Sequence, residues 1–138
     1  MFIRITDSVS VAPQILPEDV ATARAQGFAA IVNNRPDGES ADQPPGEMIA
    51  AACAAAGLAY VAIPIDHTGF SLDQVEAMAE VLGRGPVLAY CRSGTRSCNL
   101  WALAAARQGS EPADIIAAAS AGGYNVAGLM PLLKQLKG

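Results

Sequence analysis

Histidine occurs once in these 138 residues and cysteine three times, and no two cysteines form a CxxC pair. A zinc centre built on thiolates and imidazoles therefore lacks ligands. The odd, uneven set Cys53, Cys91 and Cys98 is not a disulfide framework either, so the reading is no metal, no cofactor and a reducing, cytoplasmic setting. Charge is sparse at 16%, the formal net charge is −4, and no basic stripe is present. A nucleic-acid partner is excluded on that balance. No apolar run reaches membrane length, and the first residues, with Arg4 and Asp7, lack the apolar core of a leader. The expectation is a protein with no membrane association.

What is present is a compact apolar composition, 51% hydrophobic, in a length suited to one domain spanning 1–138. Phe2 to Ile5 and Val9 to Ala12 read as short strands, the first at an edge. Pro17-Glu18-Asp19 opens a helix to about Gln26, closed by Gly27. Phe28 to Val32 is a buried strand, and Asn33 to Glu39 a polar loop. A helix from Gly46 to Ala56 follows, then a strand from Leu58 to Ile65, where Pro64 marks an edge. Ser71 with Gln74 forms a capping box for the next helix. Val87 to Tyr90 is the most apolar strand and the predicted centre of the sheet. Further helices are expected at Ser97–Arg107, Pro112–Ala119 and 126–136. Alternating strands and helices predict an α/β domain, with three loops leaving one sheet edge at Asn33, Asp66 and Cys91.

The run Tyr90-Cys91-Arg92-Ser93-Gly94-Thr95-Arg96-Ser97 carries the chemistry. Cys91 ends a strand and a helix begins soon after, so backbone N–H groups converge on the sulfur. A helix N-terminus and a guanidinium both favour thiolate over thiol. Gly94 permits the turn. Arg96 offers a planar fork to oxyanions, and Ser97 is read as a helix cap that also donates to the sulfur. Arg92, Ser93 and Thr95 complete the anion-binding loop. Cys53 is read as core, Trp101 as packing, and Cys98 as packing in preference to a resolving thiol.

These blocks, with Gly27-Phe28, Val32 to Glu39, Tyr60 to Pro64 and Leu100-Trp101, resemble the phosphatase-like domain of beta-lactamase hydrolase-like proteins over nearly the whole chain. The resemblance implies a dual-specificity-phosphatase-like fold, a central four- or five-stranded, mostly parallel sheet flanked by helices, and a cysteine-based site. In that fold an acid sits in the loop that Asp66 occupies here, with His67 beside it as an alternative base. Arg35, in the Asn33–Glu39 loop, is a candidate for attracting an anionic substrate or for scaffolding that loop.

Two chemistries follow from one cysteine. The wider phosphatase signature has histidine before the cysteine and five residues between cysteine and arginine. Here Tyr90 precedes Cys91 and four residues intervene, which is similar to a rhodanese loop. The expectation taken from that count is a sulfurtransferase. It moves sulfane sulfur from thiosulfate or a persulfide through a Cys91 persulfide to a small thiol. A persulfide dioxygenase is then a candidate partner, and a homodimer is left open. The alternatives are a phosphatase acting through a phosphocysteine on Cys91 with Asp66 as acid, and a non-catalytic anion- or redox-sensing module.

Overall fold

A computed structural model describes residues 1–138. Five strands, β1 (Ile3–Thr6), β2 (Val9–Ala12), β3 (Ala30–Asn33), β4 (Ala59–Ala62) and β5 (Val87–Tyr90), form one sheet in the order β1-β2-β5-β3-β4. Only β1 runs antiparallel, against β2; the other pairings are parallel. The most apolar strand is central, and the strand that ends near Pro64 lies at an edge, as its proline requires.

Successive residues of each inner strand face opposite layers. Ala30, Val32, Val87 and Ala89 pack into the larger core, which takes in α3 (Leu72–Leu82), α4 (Thr95–Arg107), α5 (Pro112–Ala121) and α6 (Met130–Lys137). Ile31, Leu88 and Tyr90 face a smaller core under α1 (Pro17–Ala25) and α2 (Gly46–Ala56). Trp101, Cys98 and Cys53 are all buried, in keeping with their reading as packing and core residues. No helix is long and apolar enough to cross a membrane.

Two boundaries differ in ways that bear on function. The last helix is divided into a 3-10 turn at Ala127–Leu129 and α6, with Pro131 in the first turn of α6, where its missing N–H costs nothing. More consequentially, α4 starts at Thr95 and not at Ser97. Gly94 is its N-cap at φ +89°, a left-handed conformation that an L side chain resists. The helix therefore opens two residues closer to the cysteine.

Register fixes the site. Ala12, Tyr90 and Asn33 are level across β2, β5 and β3. The backbone stays knitted past the strand ends: Cys91 N–H donates to Ala12 O (3.3 Å), Asn34 N–H to Tyr90 O (2.9 Å) and Ile65 N–H to Asn34 O (2.9 Å). The loops beginning at Asn33, Asp66 and Cys91 thus leave one edge side by side, as the alternation of elements predicts.

Candidate active site

Cys91 is buried at the end of β5, and its sulfur accepts the Gly94 N–H at 3.1 Å. The sulfur lies at the N-terminus of a thirteen-residue helix, whose free N–H groups can receive a bound anion. Ser93 and Thr95 are exposed and bond each other (3.0 Å), on the outer side of the loop.

Arg96 falls in the first turn of α4 and is gripped on two sides. Its Nη1 donates to Glu39 Oε2 (2.7 Å) and to Ile65 O (2.7 Å), and its Nη2 donates to Glu39 Oε1 (2.8 Å). A guanidinium has five N–H donors. The three bonds consume both Nη1 hydrogens and one on Nη2. Nε–H and the second Nη2–H remain, and these two lie parallel on one edge, the spacing that matches two oxygens of an oxyanion. Glu39 therefore orients Arg96 without occupying its binding edge. The hydrogen bonds from Arg96 hold the Glu39 carboxyl at about 2 against the opposing effect of desolvation, and Arg35 adds a smaller pull in the same downward direction. Glu39 in turn pushes Arg96 further up, with Cys91 adding in the same direction.

Ser97 does not act as predicted. It neither caps the helix nor donates to sulfur; its hydroxyl donates to Asn34 Oδ1 at 2.8 Å, and both residues are fully buried. The cap position belongs to Gly94, which leaves Ser97 inside the first turn facing β3. Asn34 Nδ2 donates to Ile63 O (2.9 Å), so one amide ties the active loop to both neighbouring loops.

Arg35 is not a free anion attractor. It is buried, donating to Glu39 Oε1 (3.0 Å), Gln14 Oε1 (3.1 Å) and Ser40 Oγ (3.3 Å), and it scaffolds the loop that carries Glu39. Arg92 is the opposite case: exposed, without a side-chain partner, on the wall of an open polar cavity of about 360 Å³ shared with Gln14, Arg35 and Asp42. Asp66 is exposed and accepts Thr68 N–H (2.8 Å) and Thr68 Oγ1 (2.5 Å), bonds that hold its carboxyl below the usual carboxylate range. Its neighbour Ile65 holds Arg96, so the Asp66 loop borders the site while the carboxylate faces its own turn. His67 is exposed beside it.

Two participants went unread in the sequence. Glu39 is read in the sequence only as the end of the Asn33–Glu39 loop; the signal was an acid on a loop leaving the same sheet edge as an otherwise unneutralised arginine. Tyr124, after α5, donates its hydroxyl to Ser93 O (3.0 Å), and nothing local announces it. Tyr90, in the place of the usual histidine, turns into the smaller core, where burial pushes its phenol up.

The profile of the beta-lactamase hydrolase-like protein phosphatase-like domain matches residues 2–108. A beta-lactamase hydrolase-like protein of Agrobacterium fabrum is 35% identical over 109 residues, 78% of this chain and 25% of that protein. The chain spans about a quarter to a third of the length of the curated relatives it matches. A candidate phosphatase from Neisseria meningitidis superposes with a TM-score of 0.80 at 29% identity, covering 97% of this chain and 96% of that one. Kinase associated phosphatase, solved with its catalytic-site cysteine replaced by serine, shares the fold alone (TM-score 0.70, 13% identity, 99% and 92% covered).

These findings overturn the sulfurtransferase expectation and the rhodanese-like reading of the loop. Fold and family are both phosphatase-like. The physical error lay in reading the chemistry from a residue count. Because Gly94 starts α4 early, Arg96 already sits on the helix, and the anion site is built from helix N-terminus and guanidinium whatever the interval. The site is a cysteine-based, phosphatase-type one, and the chain belongs to the family of phosphatase-like domains of beta-lactamase hydrolase-like proteins.

Proposed function

We propose that residues 1–138 act as one catalytic unit that hydrolyses phosphomonoesters through a phosphocysteine at Cys91. The observation that carries this reading is the pairing of a sulfur held by the Gly94 N–H with an arginine whose free edge is set by Glu39.

In the proposed reaction the Cys91 thiolate donates an electron pair to phosphorus and the bond to the leaving oxygen breaks. The phosphoryl oxygens take the Nε/Nη2 edge of Arg96 and the N–H groups at the start of α4, where charge is stabilised without reorganisation. Asp66, released from Thr68, supplies the proton to the leaving oxygen. Water then attacks phosphorus, Asp66 takes its proton, the P–S bond breaks, and thiolate and inorganic phosphate are regenerated. Arg92 faces the open polar cavity, where the rest of the ester would lie. The substrate is a small or accessible phosphomonoester, and three free cysteines suit a reducing, cytoplasmic setting.

The test is hydrolysis of an aryl phosphate by the wild-type protein and by Cys91→Ser, with rapid acid quench and intact mass to trap the phosphoryl group. Turnover lost in the serine variant and a phosphoryl adduct on Cys91 support the reading. No turnover of any aryl phosphate, or turnover that persists without the sulfur, overturns it.

A further inference from the structure

The hydrogen bond from Tyr124 to Ser93 O and the one from Gly94 N–H to Cys91 Sγ share a single peptide unit. The carbonyl of that unit is Ser93 O and its amide is Gly94 N–H. No peptide in the chain is cis, so carbonyl and amide point in opposite directions. Tyr124 Oη holds the carbonyl at 3.0 Å on one side while the sulfur takes the amide at 3.1 Å on the other.

Left unheld, this unit has reason to flip. Gly94 has no side chain to restrain it and sits at φ +89°. Ser93 is exposed, so water competes for its carbonyl. A flip would present a carbonyl oxygen, in place of an N–H, to the sulfur and to any bound anion. We infer that Tyr124 is a positioning residue that locks the Ser93–Gly94 peptide with its N–H facing the anion site.

Further facts fit this role. A Cβ at Gly94 would collide with Tyr124 Oη, so glycine is what lets the hydroxyl come this close. Burial, then Cys98 and Cys91, push the Tyr124 phenol up, so it stays protonated and donates. Tyr124 reaches the loop from the segment after α5, whose Gly122 packs against Ile5 and Ile3 of β1. The lock is thus anchored outside the loop it holds.

The inference rests on the anion-site half of the proposed function, and its test does not need turnover. Alkylation of Cys91 is measured with iodoacetate, whose carboxylate uses the anion site, and with neutral iodoacetamide. The ratio of the two rate constants isolates anion recognition from thiol reactivity. Tyr124→Phe keeps the ring and removes the hydroxyl. It should lower the ratio about fivefold, the equivalent of one hydrogen bond worth ~1 kcal/mol. Tyr124→Leu removes the ring as well and should give the same ratio. An unchanged ratio in the phenylalanine variant overturns the inference, and so does a fall confined to Tyr124→Leu, which would make the role one of packing. If the ratio responds while aryl phosphates are not hydrolysed, the positioning role stands and the hydrolytic reading falls.

Discussion

Replacing Glu39 with glutamine tests whether that carboxylate serves the site or obstructs it. Glu39 accepts two bonds from Arg96, at 2.7 and 2.8 Å, and one from Arg35 at 3.0 Å. Glutamine keeps the shape but loses the charge, and its NH2 would face guanidinium donors. Charge-assisted hydrogen bonds contribute ~1.5–3 kcal/mol each when well shielded. The carboxylate is 27% exposed and the Arg96 side chain 24%, so screening reduces the sum to about 2 kcal/mol in all. Part of this is loop stability, and ~1 kcal/mol of it lowers Tm by roughly 4 °C. The remainder is the orientation of Arg96, and ~1 kcal/mol there lowers kcat/KM about fivefold. The Glu39 carboxyl lies at about 2, below its ordinary 4.5. Its contribution is therefore complete above about pH 4.5 and fades only as pH falls through about 2. The deficit in Glu39→Gln should accordingly be the same at about pH 5.5 and about pH 8. Steady-state hydrolysis of an aryl phosphate at both values, with thermal unfolding of the same samples, reads all of this. An unchanged or improved kcat/KM would refute the reasoning, because Glu39 would then be a competitor for Arg96.

Other expectations follow from single contacts. Asp66→Asn should lower kcat about a hundredfold or more for esters with poor leaving groups and much less for a nitrophenolate, a contrast measured across a leaving-group series. Ser97→Ala leaves the fully buried Asn34 Oδ1 without its donor, and urea unfolding should show a loss of about 1–3 kcal/mol. Burial pushes the Cys53 thiol up to about 11 and, with a contribution from Cys91, the Cys98 thiol up to about 12. Brief alkylation near neutral pH should therefore label Cys91 alone by intact mass. Both shifts are upward from 9.0, so the stability they confer is complete below about pH 9 and declines as pH rises through about 11 and 12. Unfolding followed into that range should show the decline, and Cys53→Ala with Cys98→Ala should flatten it.

Much of this molecule was legible because its determinants are local. Val87 to Tyr90 announced a central strand by being uniformly apolar, and the strand–loop–helix order put three loops at one edge. Pro64 marked the outer strand, and Ser71 with Gln74 marked a helix start. What was not legible depends on contacts distant in sequence. Arg96 meets Glu39 across 57 positions and Ser93 meets Tyr124 across 31, and no spacing rule links such residues. The sulfur-transfer reading failed for a related reason. It compared the lengths of two loops, whereas the anion site depends on where the helix begins, and that is decided by the backbone conformation of Gly94. Arg35 shows the converse: an arginine in a polar loop looks available until burial and three acceptors absorb it.

The order in which the strands are made differs from the order in which they lie. β5 is the last strand in the chain and the middle one in the sheet, pairing with both β2 and β3. Val87 reaches back to Val9 on one side and to Ala30 on the other. Before it arrives, the two earlier pairs, β1-β2 and β3-β4, have no shared partner, and the loop-closure entropy of joining them is unpaid. The segment that closes this gap is also the one that carries Cys91. The loop around Cys91, the proposed nucleophile, is thus complete only when both halves of the sheet are joined.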